Sequence, residues 1–376
     1  MKTVVIIGSA YPLRGGGLAT FNERLALEFQ NQGYQVKIET FSLQYPAILF
    51  PGKTQYSEEQ APQNLNIHVS VNSINPFNWI KVGRRLRKEK ADLVILRYWI
   101  PFIAPSLGTI ARIIRKNKHS KVVAITDNII PHEKRPGDAM LSNYLVNSVD
   151  GFVTMSKTVM KDLDQFDQKK PRKFNPHPLY DNFGLAKEKK EAREELGLPS
   201  EGKYLLFFGF IRDYKGLDIL LQAMTDQRIQ KENIKLIVAG EFYSGEEKYR
   251  QYIADHHLSN ALILHTDFIP NSRVGLYFNA CDVVVQPYKT ATQSGVTQIA
   301  YHFEKPMIVT NVGGLPEIVL HDKTGFVCEV DAQSIADHII KFYQEEKAVE
   351  FQSYLKEEKK KYSWKKLVGS ILDVAK

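Results

Sequence analysis

Residues 204–218 read Tyr-Leu-Leu-Phe-Phe-Gly-Phe-Ile-Arg-Asp-Tyr-Lys-Gly-Leu-Asp. The apolar run from Tyr204 to Phe208 predicts a buried parallel strand that stops at Gly209. Arg212 and Lys215 follow, then Gly216, then a helix-periodic set of Leu217, Leu220, Leu221 and Met224. Two cations are thus placed just past the carboxyl end of a strand, where open α/β sheets bind ligands. An arginine and a lysine three residues apart suit a diphosphate. The guanidinium forks onto two oxygens and the lysine adds a mobile point charge. A solvated turn would explain that pair alone about as well. A second glycine-rich turn, Gly15-Gly16-Gly17 near the start of the chain, shifts the balance toward a ligand.

Outward from this stretch, strand-like and helix-like segments alternate in both halves. In the first half, strands are expected at Val4–Ile7, Val36–Thr40, Ile67–Val71, Leu93–Leu96, Val122–Ile125 and Gly151–Thr154. In the second they are expected at Tyr204–Phe208, Lys235–Val238, Ala261–Leu264, Asp282–Gln286 and Met307–Thr310. Residues 169–187, with Pro171, Pro176 and Pro178, read as the connection between the halves, and the tail from Ala332 onward reads as helical and charged. The pattern is doubly wound α/β. At 376 residues and 43% hydrophobic content, the chain is too long for one ordinary α/β core and apolar enough for two.

The net charge is +8 and the isoelectric point about 9.1. Basic residues cluster at Arg84, Arg85, Arg87, Lys88 and Lys90, at Arg112 to Lys121, and at Lys169 to Lys173. Each cluster taken singly reads as a solvated helix face. Together they leave room for an anionic membrane surface or a phosphorylated acceptor. No zinc-finger spacing and no basic strand interleaved with aromatics occurs, so nucleic acid is not expected as a partner. The two cysteines, Cys281 and Cys328, form no metal or redox motif and point to a reducing compartment. The first apolar run is too short for a signal peptide, and no stretch reaches a transmembrane length. The expectation is a cytoplasmic protein, at most peripheral at the inner face of a membrane.

Further candidate residues also fall at expected strand ends. Gly15–Gly17 lets backbone approach a ligand and aim N–H groups at an anion, but it is not Gly-x-Gly-x-x-Gly. Residues 126–138 form a dense polar run containing Asp127, Asn128 and His132 after the strand Val122–Ile125. After Asp282–Gln286, Ser294 is placed to cap a helix, with the Gly295 and Val296 N–H groups left for an anion. Thr310-Asn-Val-Gly-Gly-Leu-Pro-Glu is another glycine turn at a strand end. Asp162-Leu-Asp164 reads as a solvated helix face rather than a metal site, and His256-His257 lacks ligand spacing.

Taken together, these motifs resemble the GT-B-fold retaining glycosyltransferases of family 4, the glycosyl transferases group 1. The similarity runs through Gly15–Gly17, Gly209-x-x-Arg212-x-x-Lys215-Gly216 and Asp282-Val-Val-Val-Gln-Pro. It continues from Gln293-Ser-Gly to Ala300-Tyr-His-Phe-Glu-Lys-Pro-Met-Ile-Val-Thr-Asn-Val-Gly-Gly-Leu-Pro-Glu. The resemblance implies two Rossmann-like domains facing across a cleft. Residues 1–182 would bind the acceptor and 183–361 the nucleotide-sugar donor, and a final helix within 362–376 would return to the first domain. It implies that Arg212 and Lys215 neutralise the donor diphosphate, with Gly209, Ser294 and Gly295 nearby. Gly16 and Gly17 would approach the same phosphates, and the Ile269 backbone would meet the base. Anomeric configuration would be retained by front-face attack, with no dedicated nucleophile, no metal and no cofactor besides a UDP- or GDP-sugar substrate.

The chain departs from the family pattern at three places. Thr290 and Gln298 stand where the family carries a Glu pair that touches donor sugar and ribose. Gln298 offers one neutral acceptor in place of a bidentate carboxylate, and Gln293 is the substitute expected at the sugar. Asp127 precedes Asn128 where His-Asn is common, so Asp127 or His132 would position sugar or acceptor. The leading expectation is a hexosyltransferase of surface polysaccharide biosynthesis, acting on a glycan or lipid-linked acceptor. The alternatives are a nucleotide-binding partner subunit without transfer activity, and a nucleotide-sugar epimerase using Asp127, Glu133 or Glu317.

Overall fold

Two sets of short apolar runs, each closed by glycine or polar turns, form two separate parallel sheets in the computed structural model of the protein. The structure describes residues 2–14, 17–46, 54–131, 135–291 and 294–376. One compact unit comprises Met1–Pro178 with Ser363–Lys376, the other Leu179–Tyr362.

The first unit runs β1 (Thr3–Ile7), α1 (Ala19–Asn31), β2 (Gln35–Leu43), β3 (Ile67–Asn72), α2 (Pro76–Glu89), β4 (Leu93–Tyr98), α3 (Ala104–Arg115), β5 (Lys121–Thr126), α4 (Asp138–Val146), β6 (Gly151–Thr154), α5 (Lys157–Leu163) and β7 (Arg172–Phe174). Its strand order is β3-β2-β1-β4-β5-β6-β7. All pairings are parallel, with Val5 opposite both Lys37 and Val94. β4 and β5 are buried almost throughout, which is why they read as continuous apolar runs rather than as alternation.

The second unit runs α6 (Lys189–Glu195), β8 (Lys203–Phe208), α7 (Leu217–Ala223), α8 (Gln227–Lys231), β9 (Ile234–Ala239), α9 (Glu246–Asp255), β10 (Leu262–His265), α10 (Asn271–Ala280), β11 (Val283–Gln286), α11 (Gly295–His302), β12 (Met307–Thr310), α12 (Leu315–Ile318), β13 (Gly325–Cys328), α13 (Ala332–Gln344) and α14 (Lys347–Glu358). Its sheet has the order β10-β9-β8-β11-β12-β13, again parallel. α15 (Trp364–Val374) belongs to the first unit, where Trp364 packs 4.8 Å from the Phe21 ring of α1. It also meets β6 so closely that a β-carbon at Gly151 would lie 2.4 Å from Val374.

Two strands are additions to the pattern expected from sequence. β7 lies inside the stretch read as a connection. Pro171 costs it nothing, because the Pro171 carbonyl still accepts from the Phe152 N–H at 3.0 Å and an edge strand tolerates a missing donor. β13 is four residues long and starts on a glycine, too little for periodicity to reveal. Both sheets reverse strand order beside their first strand, between β1 and β4 and between β8 and β11. Loops diverge at such switch points and leave room for ligands. Among the described residues, no helix is long and apolar enough to cross a membrane.

Candidate active site

The switch point of the second unit is built by the loops after β8 and β11. β8 ends at Gly209, whose φ of 96° is a left-handed conformation. A β-carbon there would lie 3.0 Å from Lys215 Nζ, so the glycine makes room for the ammonium. Gly216, at φ 71°, lies so close to the next loop that a β-carbon would sit 1.9 Å from the Pro287 carbonyl oxygen. The loops are further tied by the Lys289 N–H to the Tyr214 carbonyl at 2.7 Å. Lys289 Nζ also meets Asp213 at 3.1 Å and Asp218 at 2.8 Å.

These ties decide the electrostatics. Asp213 is engaged by Lys248 and Lys289, which hold its carboxyl below the usual range, so it is not available to the neighbouring cations. The Arg212 guanidinium instead lies over the Tyr243 ring, 3.7 Å from its centroid. Lys215 Nζ is 5.8 Å from the centre of the Tyr288 ring. Among the described residues, neither Arg212 nor Lys215 has a carboxylate partner. Burial, together with the nearby Arg212 charge, pushes the Lys215 ammonium down to about 7. Two cations this close at a sheet switch point, without a carboxylate between them, have the electrostatics that suit an anion.

α11 opens on the same loop. Ser294 Oγ accepts from the Val296 N–H at 3.2 Å, so that N–H is used by the cap and is not free for a ligand. This corrects the expectation that Gly295 and Val296 both offer their amides. Gly295, the first residue of the helix, packs under the Tyr180 ring, where a β-carbon would lie 3.0 Å from it. One turn on, Gln298 is fully buried, and neither its amide nitrogen nor its amide oxygen has a hydrogen-bond partner. Thr290 is exposed. Ile269 follows β10 in a loop at the same sheet edge, beside Phe268, whose ring lies 6.4 Å from that of Phe210.

The corresponding edge of the first unit is neutralised internally. Arg97, at the end of β4, reaches Asp127 just past β5 with Nε and Nη2, both at 2.6 Å. Both residues are buried, and the guanidinium lies 3.7 Å from the Phe21 ring centroid. Both Asp127 oxygens are therefore occupied. Burial and the Arg97 charge hold the adjacent His177 down to about 3, so it is neutral. Open polar atoms remain on Asn22, Arg97 Nη1, Thr126 and Thr154. Gly17 is exposed in the turn before α1. Gly16, His132 and Gln293 lie outside the described residues, as do Gly15 and Glu133.

The sequence pattern singles out Arg212, Lys215, Ser294 and Asp127 as candidates, but not Arg97, Tyr243 or Tyr288. Arg97 did leave a signal. It is a charge inside the apolar run Leu-Val-Ile-Leu-Arg-Tyr, and a buried arginine needs a partner.

Two doubly wound parallel-sheet units of this kind define the GT-B fold, as their solved neighbours show. Sucrose-phosphate synthase from Thermosynechococcus elongatus superposes with a TM-score of 0.75 at 15% identity, covering 99% of this chain and 97% of that one. Anabaena HepE, solved in complex with UDP, gives 0.74 at 16%, covering 99% of both chains. Residues 188–362 match the family model for glycosyl transferases group 1, and the second unit is a glycosyl transferases group 1 domain. An uncharacterized glycosyltransferase of Methanocaldococcus jannaschii is 24% identical over a 412-residue alignment, covering 100% of this chain and 98% of that protein.

Proposed function

We propose that the protein is a retaining hexosyltransferase. It would take a UDP- or GDP-sugar as donor and a glycan or lipid-linked acceptor, in surface polysaccharide biosynthesis in the cytoplasm. The observation that carries this reading is that Arg212 and Lys215, at the β8–β11 switch point, have no carboxylate partner among the described residues. The donor diphosphate would complete their electrostatics, and the same cations would stabilise the charge that grows on the leaving phosphate. Gln298 is the candidate for the ribose: its buried amide has no hydrogen-bond partner, and its carbonyl would give a hydroxyl one neutral acceptor. The HepE complex with UDP supports the nucleotide class by analogy.

Acceptor attack on the face the phosphate leaves requires no protein nucleophile, and no metal or cofactor is invoked. Asp127, held at both oxygens by Arg97, suits a positioning role better than that of a base. Asp127→Asn is then expected to lower turnover more than donor affinity, and equal loss of both would make its role structural.

Calorimetric titration with UDP, GDP and ADP, beside the Arg212→Ala variant, tests the reading. Selective binding of one nucleotide, lost in the variant, is expected. Absence of binding by all three would overturn the donor site. Selective binding without turnover in any acceptor mixture would favour a nucleotide-binding partner subunit, the reading that Thr290 and Gln298 in place of the Glu pair also suit.

A further inference from the structure

The basic clusters of the sequence differ in how far acids pair them, and the 112–121 cluster is mixed, with Arg115 meeting Asp150 at 2.8 Å. Three of the four cations of the 169–173 segment are paired: Lys170 meets Asp167 at 3.4 Å, Arg172 meets Asp164 and Asp167 at 2.8 Å each, and Lys173 meets Asp373 at 2.6 Å. On α2, Arg85 is paired, but the outermost cations are not. This helix starts on Asn75, whose side chain accepts from the Phe77 and Asn78 N–H groups at 3.0 and 3.2 Å. It buries Val82, Gly83 and Leu86 against the core. The opposite side carries Phe77, Lys81, Arg84 and Lys88, spaced by four, three and four residues, so the four form one exposed stripe.

Lys81, Arg84 and Lys88 have no carboxylate partner among the described residues. The nearby acid, Glu89, is taken up by Lys37 at 2.5 Å and Arg85 at 3.1 Å. Arg85 itself is committed to the buried Glu39 at 2.6 Å. Phe77 is 85% exposed, and Ile74, just before the helix cap, is 50% exposed. With Ile80, Arg85 and Glu89, this stripe lines an open depression of about 860 Å³.

We propose that this stripe of α2 is a docking surface for an anionic phospholipid bilayer. The cations lie along one line, as a flat negative surface requires. An exposed phenyl ring and an isoleucine at one end of the line can enter the acyl boundary while the charges stay among headgroups. A lone aromatic gives no stacking platform for nucleic acid. Neutralisation of Glu89 removes the repulsion that a carboxylate would bring to such a surface. The surface lies wholly in the first unit and does not depend on the donor-site reading.

Co-sedimentation with vesicles tests it. The intact protein is expected to bind 1:1 phosphatidylglycerol–phosphatidylcholine vesicles at low salt and to release them at high salt. It should bind pure phosphatidylcholine vesicles far more weakly. Each stripe cation should contribute about fivefold, so Arg84→Glu with Lys88→Glu should lower partitioning at least about 25-fold. Phe77→Ser, at a site too exposed to affect folding, should lower it less and leave the salt dependence intact. Equal binding to neutral vesicles, no binding at all, or binding unchanged in the double variant would overturn the proposal. Self-association that the double variant abolishes, without vesicle binding, would overturn it in favour of a second copy of the chain. Nucleotide titration of the same variants is expected to match the unmodified protein, so a failure here stays distinct from a failure of the donor site.

Discussion

The two sheet edges share an architecture and differ in charge. Each carries an arginine beside the switch point and lays its guanidinium on an aromatic ring 3.7 Å away, Phe21 under Arg97 and Tyr243 under Arg212. In the first unit the arginine grips Asp127 at two points and the pair is closed. In the second, the acids that could have closed the site are held by Lys248 and Lys289, and Arg212 and Lys215 stay open. The first arrangement holds a shape, because breaking it leaves a buried charge. The second carries positive charge without a nearby acid, and an anion placed there would relieve a repulsion. An arginine at a strand end is therefore uninformative until its partner is known.

The largest test of this contrast is Arg97→Met. Leaving the Asp127 carboxylate buried without its Arg97 partner should cost the first unit about 3–5 kcal/mol. All three tryptophans, Trp79, Trp99 and Trp364, lie in that unit. Denaturation followed by tryptophan fluorescence therefore reports on it selectively. Adding Asp127→Leu should restore much of the loss. A cost under about 1 kcal/mol would show the pair to be less desolvated than its burial indicates. Next in size, Lys215→Ala should weaken nucleoside diphosphate binding by about 1.5–3 kcal/mol, read by calorimetry. The same change should leave the second unit no less stable, since it removes a charge that is repelled and partly desolvated. An unchanged dissociation constant would remove Lys215 from the site.

The legible part of this molecule was local in the chain. A strand, a glycine and two cations lie within residues 204–216, so Arg212 and Lys215 could be picked out before any contact was known. Their surroundings are non-local. Tyr243 follows β9 and Tyr288 follows β11, and they meet the cations only because both strands flank β8. The Arg97–Asp127 pair likewise depends on β4 lying beside β5, a register that no spacing in the sequence encodes. The Ser294 cap was legible as a helix start. That the cap consumes the Val296 N–H is a matter of geometry. Ser294→Ala accordingly separates two roles. It should cost the second unit about 1 kcal/mol through the lost cap, while freeing the Val296 N–H for a ligand. A fall in nucleotide affinity larger than the fall in stability would mean that the hydroxyl itself meets the ligand.

The smallest expected effect discriminates most finely between the two edges. Lys215 is held near 7 in the free protein, against an ordinary 10.5. An unfolded chain thus binds more protons than the folded one between about pH 7 and 10.5, and this group's destabilising contribution, full below pH 7, fades as pH rises through that window. Ligand binding runs the other way, because a bound diphosphate favours the protonated lysine. Between pH 6 and 7 the charged fraction falls only about twofold, and affinity for a nucleotide sugar should fall by the same factor, more steeply above pH 7. A nucleotide sugar is the right probe, since its phosphates do not titrate there. Calorimetry in buffers of different ionisation enthalpy should show proton uptake on binding at pH 7.5 that vanishes in Lys215→Ala. Uptake that persists in the variant would assign the proton to another group, and absence of uptake in both would mean that the open lysine is charged throughout and better solvated than its packing indicates.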